Sequence, residues 1–141
     1  MTLRRTTATR RTLGLATVAA LLLSGCATLY APGSPEAIVK AQSLARWDAL
    51  IARDCATACK ITQPAYRALA DVEAYKKRFG GAVQWTDAEV VSVTCEPERC
   101  EVALTIKAYL PTVRDIKEPA ATTVRETWIK ENDTWWYYQR F

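Results

Sequence analysis

Two segments of alternating apolar residues are joined by one short turn, and this arrangement constrains the fold more than any other feature of the sequence. On either side of the turn sequence CEPERC, each cysteine lies on the apolar side of its own strand. Cys95 and Cys100 can therefore face the core and each other, which predicts a disulfide that closes a β-hairpin. On the chain-entropy model, a loop of about six residues makes such a disulfide worth roughly 2 kcal/mol. The predicted apolar side comprises Val91, Val93 and Cys95 on the first strand, and Cys100, Val102, Leu104, Ile106 and Ala108 on the second.

Helical patterns precede this hairpin, and further strands follow it. Ser34-Pro35-Glu36 is typical of a helix start, because it combines an N-cap hydroxyl, a proline at the first position and an acid in the first turn. Gly80-Gly81 is typical of a helix end, and Asn132-Asp133 predicts a tight turn. The predicted elements are helices over 35–53 and 71–79 and strands over 85–95, 100–108, 121–131 and 134–140. Helices followed by a four-stranded antiparallel sheet predict an α+β fold.

The N-terminal region combines a basic start, an apolar run and a cysteine that follows small residues. An apolar run over 13–23 follows two arginine pairs and ends in Leu23-Ser24-Gly25-Cys26. The run is too short for a membrane-spanning helix, which needs about 20 apolar residues. The tetrapeptide resembles the lipobox, whose cysteine receives a diacylglycerol and becomes the first residue of the mature protein. We therefore expect residues 1–25 to be a cleaved signal peptide, 26–33 a lipidated tether and 34–141 a single domain. A plain secretory signal or an inner-membrane anchor is the alternative.

The residue after Cys26 and the charge of the mature chain define the expected location and partners. Because residue 27 is alanine and not aspartate, the sequence resembles lipoproteins sorted to the periplasmic face of the outer membrane, with the inner membrane as the alternative. The signal holds four of the 19 lysines and arginines, and the remaining 15 balance 15 acidic residues. A neutral domain offers no basic surface for nucleic acid. The expected membrane attachment is therefore through the acyl chains.

The absence of histidine and the number of cysteines narrow the kinds of catalytic and metal site that the chain can form. The chain has no histidine, which excludes Ser-His-Asp and Cys-His hydrolases and histidine-bound zinc sites. We expect no metal and no cofactor. Once Cys26 is assigned to lipid, the second cysteine pair is Cys55 and Cys59, and we predict a disulfide between them by elimination. Helical residues four apart have Cβ atoms about 5–6 Å apart, whereas a disulfide needs about 3.8 Å, so this pairing requires a turn or a distorted helix end. A four-thiolate zinc site is the competing interpretation.

Several local motifs, taken together, resemble one family of folds. The motifs are Arg46-Trp47-Asp48-Ala49-Leu50, Gln63-Pro64-Ala65-Tyr66-Arg67, V-x-C-x4-C-x-V, Glu126-x-Trp128-Ile129 and Trp135-Trp136. They resemble those of small bacterial lipoproteins with a nuclear-transport-factor-2-like fold, in the cystatin-like α+β group. The resemblance implies N-terminal helices packed in a strongly curved four-stranded antiparallel sheet, forming a cone with an open end. The cysteines at 55 and 59 depart from the family pattern, which often has aromatic residues there.

Relatives with this fold include ketosteroid isomerase and scytalone dehydratase, whose chemistry lies inside the cone, and many others bind ligands or proteins. Fold alone does not give function. We expect a lipid-anchored, non-catalytic envelope protein that binds a protein partner or a small apolar ligand. The alternative is a cofactor-free isomerase or dehydratase that uses a pocket carboxylate and a tyrosine.

Aromatic residues are the candidates for a ligand pocket or a partner surface, with plain core packing as the competing interpretation. These candidates are Trp47, Tyr66, Trp85, Trp128, Trp136 and Tyr138. In the last strand, alternation places Trp135 and Tyr137 on one face and Trp136 and Tyr138 on the other. The carboxylates expected nearest a pocket are Asp48, Asp54, Asp87 and Glu126. No catalytic residue is assigned, because Asp54 can also cap a helix and Glu126 can also pair across the sheet.

Overall fold

The computed structural model describes residues 30–81, 83–110 and 118–140, so the predicted signal peptide and Cys26 lie outside the described residues. In this part of the chain, helices come first and strands follow. They are α1 (Pro35–Ile51), α2 (Cys55–Lys60), α3 (Pro64–Leu69), α4 (Val72–Phe79), β1 (Gln84–Glu96), β2 (Arg99–Tyr109), β3 (Ala120–Glu131) and β4 (Thr134–Tyr137). The strands form one antiparallel sheet in the order β1-β2-β3-β4. The sheet is strongly curled, which confirms the α+β, cone-like fold.

Helix α1 begins where the sequence predicts and ends slightly earlier. The Ser34 hydroxyl accepts a hydrogen bond from the Ala37 amide at 3.2 Å, and Pro35 occupies the first helical position. The helix stops at Ile51 because Arg53 adopts a left-handed backbone conformation with φ of 60°. Three further helices follow within 28 residues of sequence, and α4 ends at Gly80 as predicted.

The β1–β2 hairpin has the predicted disulfide and two unpredicted irregularities, of which the first lies between Trp85 and Asp87. Cys95 pairs with Cys100 in the sheet register, and the two form a disulfide. The register shifts between Val90 and Ser92, as at a β-bulge. Val93 stays buried, but Val91 is 55% exposed. The prediction that Val91 shares the apolar side of Val93 and Cys95 is therefore wrong, because the bulge changes the alternation.

A short segment after α2 covers the β4 edge of the sheet. The Gln63 amide donates to the Tyr137 carbonyl, and the Tyr137 amide donates to the Ile61 carbonyl, both at 3.0 Å. The Gln63 side chain continues this pairing, since its amide group donates to the Gln139 carbonyl at 3.1 Å and accepts from the Gln139 amide at 2.7 Å. Strand β4 ends at Tyr137, and not at 140 as predicted. Beyond Tyr137, the Gln63 side chain takes the place of backbone as the hydrogen-bond partner of the chain at Gln139.

At the opposite edge of the sheet, β1 is held by one residue from before α1. The Tyr30 hydroxyl accepts from the Val93 amide at 2.7 Å and donates to the Val93 carbonyl at 3.2 Å. The Tyr30 ring also lies 5.8 Å from the Lys40 ammonium, measured to the ring centroid.

Within the described ranges, no helix is both long and apolar enough to span a membrane.

Candidate functional site

The interior of the curled sheet contains a buried carboxylate with four hydrogen-bond donors. Glu126 on β3 accepts at Oε1 from Arg46 Nη1 and from Trp47 Nε1, both at 2.7 Å. Its Oε2 accepts from Ser43 Oγ at 2.7 Å and from Trp128 Nε1 at 3.0 Å. Glu126 therefore points into the core from the sheet, and the suggested pairing across the sheet surface is wrong. We call these five residues the Glu126 cluster.

Aromatic rings surround the guanidinium group of Arg46. Its carbon lies 3.7 Å from the centroid of the Tyr137 ring and 4.9 Å from that of Phe79. Its Nε donates to the Tyr75 hydroxyl at 3.0 Å. Burial raises the pKa of Tyr75 to about 12, although the Arg46 cation acts in the opposite direction. The charge of Arg46 is thus balanced by Glu126 and by ring faces, in a region where its side chain is only 1% exposed.

Most of the candidate aromatic residues lie in the interior of the domain, near the Glu126 cluster. Trp47, Tyr66 and Trp128 are at most 5% exposed and belong to the hydrophobic core. Trp85 is half-buried, packs edge-on against Trp47 at 5.4 Å and donates its Nε1 hydrogen to the Phe79 carbonyl at 2.9 Å. Four of the six candidate aromatic residues therefore pack in the core or against it.

The other predicted carboxylates lie at the surface and have different roles. Asp54 caps α2 by accepting from the Thr57 amide at 3.0 Å, and the hydrogen bonding from Thr57 lowers the pKa of Asp54. Asp87 forms an exposed ion pair with Lys107 at 3.0 Å, and Asp48 is exposed on α1. Asp54 thus has the helix-capping role that the sequence left open.

The structure has Cys55 and Cys59 as two buried free thiols, so the predicted disulfide between them is absent. Both belong to α2, where regular helical spacing keeps the two side chains too far apart to bond. Burial raises the pKa of the Cys59 thiol. The four-thiolate zinc alternative loses two of its ligands to the disulfide of the hairpin. Among the described residues, no cluster of acidic and cysteine side chains could hold a metal ion.

A groove on the outside of the domain runs between α2, α3 and the start of α4. It consists of two adjoining depressions of about 420 Å³ and 260 Å³ that share Arg67, Ala70 and Asp71. Leu69 and Val72 contribute apolar surface, being 77% and 40% exposed. We call these five residues the Arg67 groove.

Arg67 is held in place at the junction of helix and sheet. Its Nε donates to the Thr62 carbonyl at 3.0 Å, and its guanidinium carbon lies 5.1 Å from the centroid of the Trp136 ring. Trp136 is half-buried and Tyr138 is 38% exposed, whereas Trp135 is buried. The two remaining candidate aromatic residues therefore lie outside the core, and Trp136 adjoins the Arg67 groove.

The sequence analysis named Glu126, Trp47 and Trp128 as candidates but missed that they form one cluster with Ser43 and Arg46, and it missed the groove. A signal for the first was present, because Val39, Ser43, Arg46 and Leu50 recur at spacings of four, three and four along α1, which places the arginine on the buried face. The groove had no such signal, since it depends on how three short helices pack.

Comparison with known proteins shows similarity at the level of the fold. No protein-family model matches the chain, and no curated protein is significantly similar to it. A SEC-C motif containing protein from Psychrobacter arcticus has a TM-score of 0.57 and 18% identity over 72% of this chain. A second SEC-C motif containing protein, from Rhodopseudomonas palustris, has a TM-score of 0.55 and 18% identity, over 75% of this chain and 76% of its own.

A third similar structure is a domain from Thiobacillus denitrificans assigned as a calcium/calmodulin-dependent protein kinase type II association domain. It has a TM-score of 0.53 and 17% identity, and the match covers 69% of this chain and 86% of that one. The match to the Psychrobacter protein spans only 58% of that protein's length. At these identities the likeness is one of fold alone.

Proposed function

We propose that this chain is a lipid-anchored protein of the bacterial envelope whose domain, of the nuclear-transport-factor-2-like kind, binds a protein partner through the Arg67 groove. The lipobox-like residues 23–26 support the anchor, and Ala27 supports the periplasmic face of the outer membrane. The Cys95–Cys100 disulfide is in keeping with an oxidising compartment.

The filled interior is the observation that carries the choice of a protein partner. Arg46, Trp128 and Tyr75 are each fully or almost fully buried and occupy the region that would otherwise receive a small apolar ligand. A binding function is therefore left to the outer surface. There the Arg67 groove combines exposed apolar side chains with fixed charges.

The same geometry disfavours the isomerase or dehydratase alternative. A general base needs a free lone pair within reach of the substrate proton. Both oxygens of Glu126 already accept two hydrogen bonds each. Asp54 and Asp87 are engaged at the surface, in a helix cap and an ion pair. We therefore make no proposal of catalysis.

The chemistry of the groove specifies the kind of partner segment. Lys60 and Arg67 supply two cations against the single carboxylate of Asp71, while Leu69 and Val72 supply apolar contact. A protein segment with an acidic residue beside an apolar one complements this surface.

The anchor is tested by labelling cells with radioactive palmitate. The natural chain should incorporate label and be processed, whereas Cys26→Ser should remain an unlabelled precursor. Continued labelling of the Cys26→Ser variant would contradict the anchor.

The partner surface is tested by a photo-cross-linking amino acid placed at Leu69 in the lipidated protein in cells. The matched control places it at Asp133, whose side chain is 97% exposed in the β3–β4 turn. We expect one defined protein adduct from position 69 and none from 133, and we expect Arg67→Glu to abolish that adduct. Equal adducts from the two positions, or an adduct that Arg67→Glu leaves unchanged, would refute this surface.

A further inference from the structure

Tyr30, the first described residue, is docked on the domain rather than free. Its hydroxyl makes both hydrogen bonds that the Val93 backbone offers at the β1 edge. Its ring packs against the core and lies near the Lys40 ammonium. Tyr30, which belongs to the tether expected over 26–33, is therefore fixed on the domain.

This docking limits how far the domain can move from its anchor. Tyr30 lies four positions after Cys26, with three residues between them, and a fully extended chain spans those four steps in about 14 Å at most. Acyl chains on Cys26 therefore enter a bilayer within that distance of the Tyr30 backbone, whose side-chain hydroxyl contacts the β1 edge. We propose that the β1 edge around Val93, together with Tyr30, lies against the lipid surface, so that the anchored domain has one fixed face toward the membrane. This proposal rests on the lipid anchor of the proposed function.

The chemistry of this face suits a lipid surface. β1 is an edge strand, and on its outer side the Tyr30 hydroxyl bonds both backbone groups of Val93. The apolar side chain of Val91, two residues from Val93 on the same strand, is 55% exposed. Lys40 adds a cation that can meet phosphate headgroups.

The Arg67 groove lies beyond the other edge of the sheet. From β1, the order across the sheet is β2, β3, β4 and then the segment 61–63, after which α3 begins. Four spacings of about 4.8 Å separate β1 from the segment 61–63 by about 19 Å along the sheet. A β1 edge held on the bilayer therefore directs the groove away from the lipid, toward other proteins of the compartment.

The test measures depth at two positions of the full lipidated protein in vesicles of phosphatidylethanolamine and phosphatidylglycerol. A fluorophore is attached through an encoded azide at exposed Thr94 on β1, or at Leu69 in the groove. Lipids with a nitroxide headgroup act as quencher. We expect several-fold stronger quenching at position 94 than at 69. Tyr30→Phe removes both hydrogen bonds to Val93 and should reduce that difference, whereas Tyr138→Phe, the matched control at an exposed tyrosine, should preserve it.

A second variant leaves the Tyr30 contact intact and lengthens the tether. A Gly-Ser linker inserted between Thr28 and Leu29 should lower quenching at position 94 without changing the thermal unfolding of the domain. Equal quenching at 94 and 69 in the natural chain, or a difference unaffected by both changes, would overturn the fixed orientation. Vesicle flotation separates this outcome from failure of the anchor, because an unlipidated chain would not float at all.

Discussion

The Glu126 cluster predicts that one oxygen-to-nitrogen replacement in the core destabilises the domain severely. In Glu126→Gln the side chain keeps its shape but loses its charge and one acceptor oxygen. The four groups that surround it, from Arg46, Trp47, Ser43 and Trp128, all donate to the carboxylate. Whichever way the new amide is turned, its NH₂ group faces donors.

The expected cost follows from the best orientation of that amide. The NH₂ group can face Ser43, whose hydroxyl can rotate and accept, but the neighbouring Trp128 N–H then has no partner. An orphaned buried donor costs about 1–3 kcal/mol, and a buried charge left without its counter-ion costs about 3–5 kcal/mol. Because Arg46 is only 1% exposed at its side chain, water does not compensate it. We expect a loss of at least 3–5 kcal/mol, equivalent to a fall in Tm of about 15–30 °C for a domain of this size.

Urea unfolding of the soluble domain, followed by tryptophan fluorescence and circular dichroism, measures this loss. The matched control is Glu101→Gln, the same substitution on β2, where the ion pair with Arg99 is 43–56% exposed. It should cost less than about 1 kcal/mol. If the two variants lose similar stability, or Glu126→Gln loses less than about 1 kcal/mol, the assignment of a buried, charge-dependent cluster is refuted.

Three further outcomes follow from the structure. Gly80→Ala should cost about 1–3 kcal/mol in a denaturant titration, because its Cβ would lie 2.9 Å from the Lys76 carbonyl and 3.0 Å from the Cys55 sulfur, while Gly81→Ala, with nothing within 4 Å, should be neutral. Burial raises the pKa of Tyr75 from 10.0 to about 12, so the contribution of the protonated Tyr75 to stability is present below pH 10 and is lost as the pH rises from 10 to about 12. Across that window the unfolding free energy of Tyr75→Phe should therefore fall by about 3 kcal/mol less than that of the natural chain. Equal falls in the two proteins would contradict the burial of Tyr75. Without reductant, maleimide should leave the folded domain unlabelled and label two thiols per molecule in urea, whereas no labelling in urea would show a second disulfide.

The sequence predicts the sheet well because strand alternation and turn residues act locally. The hairpin closed by Cys95 and Cys100 depends on residues that are neighbours in sequence, and parity alone identifies the buried side. The bulge near Val91 could not be predicted, since one additional residue reverses the parity without any change in residue type.

The short helices and the interior required tertiary information. Helices α2 and α3 have six residues each, which is too few for a helical period to stand out or for the isolated segment to be stable. The Arg46–Glu126 pair joins residues 80 positions apart. The spacing along α1 indicates that Arg46 lies on the buried face, but only the packed fold reveals that Glu126 neutralises it there.

The hydrogen bonds between the Gln63 side chain and the Gln139 backbone have a consequence for copies of the protein that lie close together on a surface. Under the proposed lipid anchor, copies of the protein would diffuse in a plane at high local density, where an open strand edge can pair with the strand of a neighbour and start a polymer. Residues 61–63 and the Gln63 side-chain amide already bond the backbone at the β4 edge. A strand of a second copy therefore has no free backbone to pair with there.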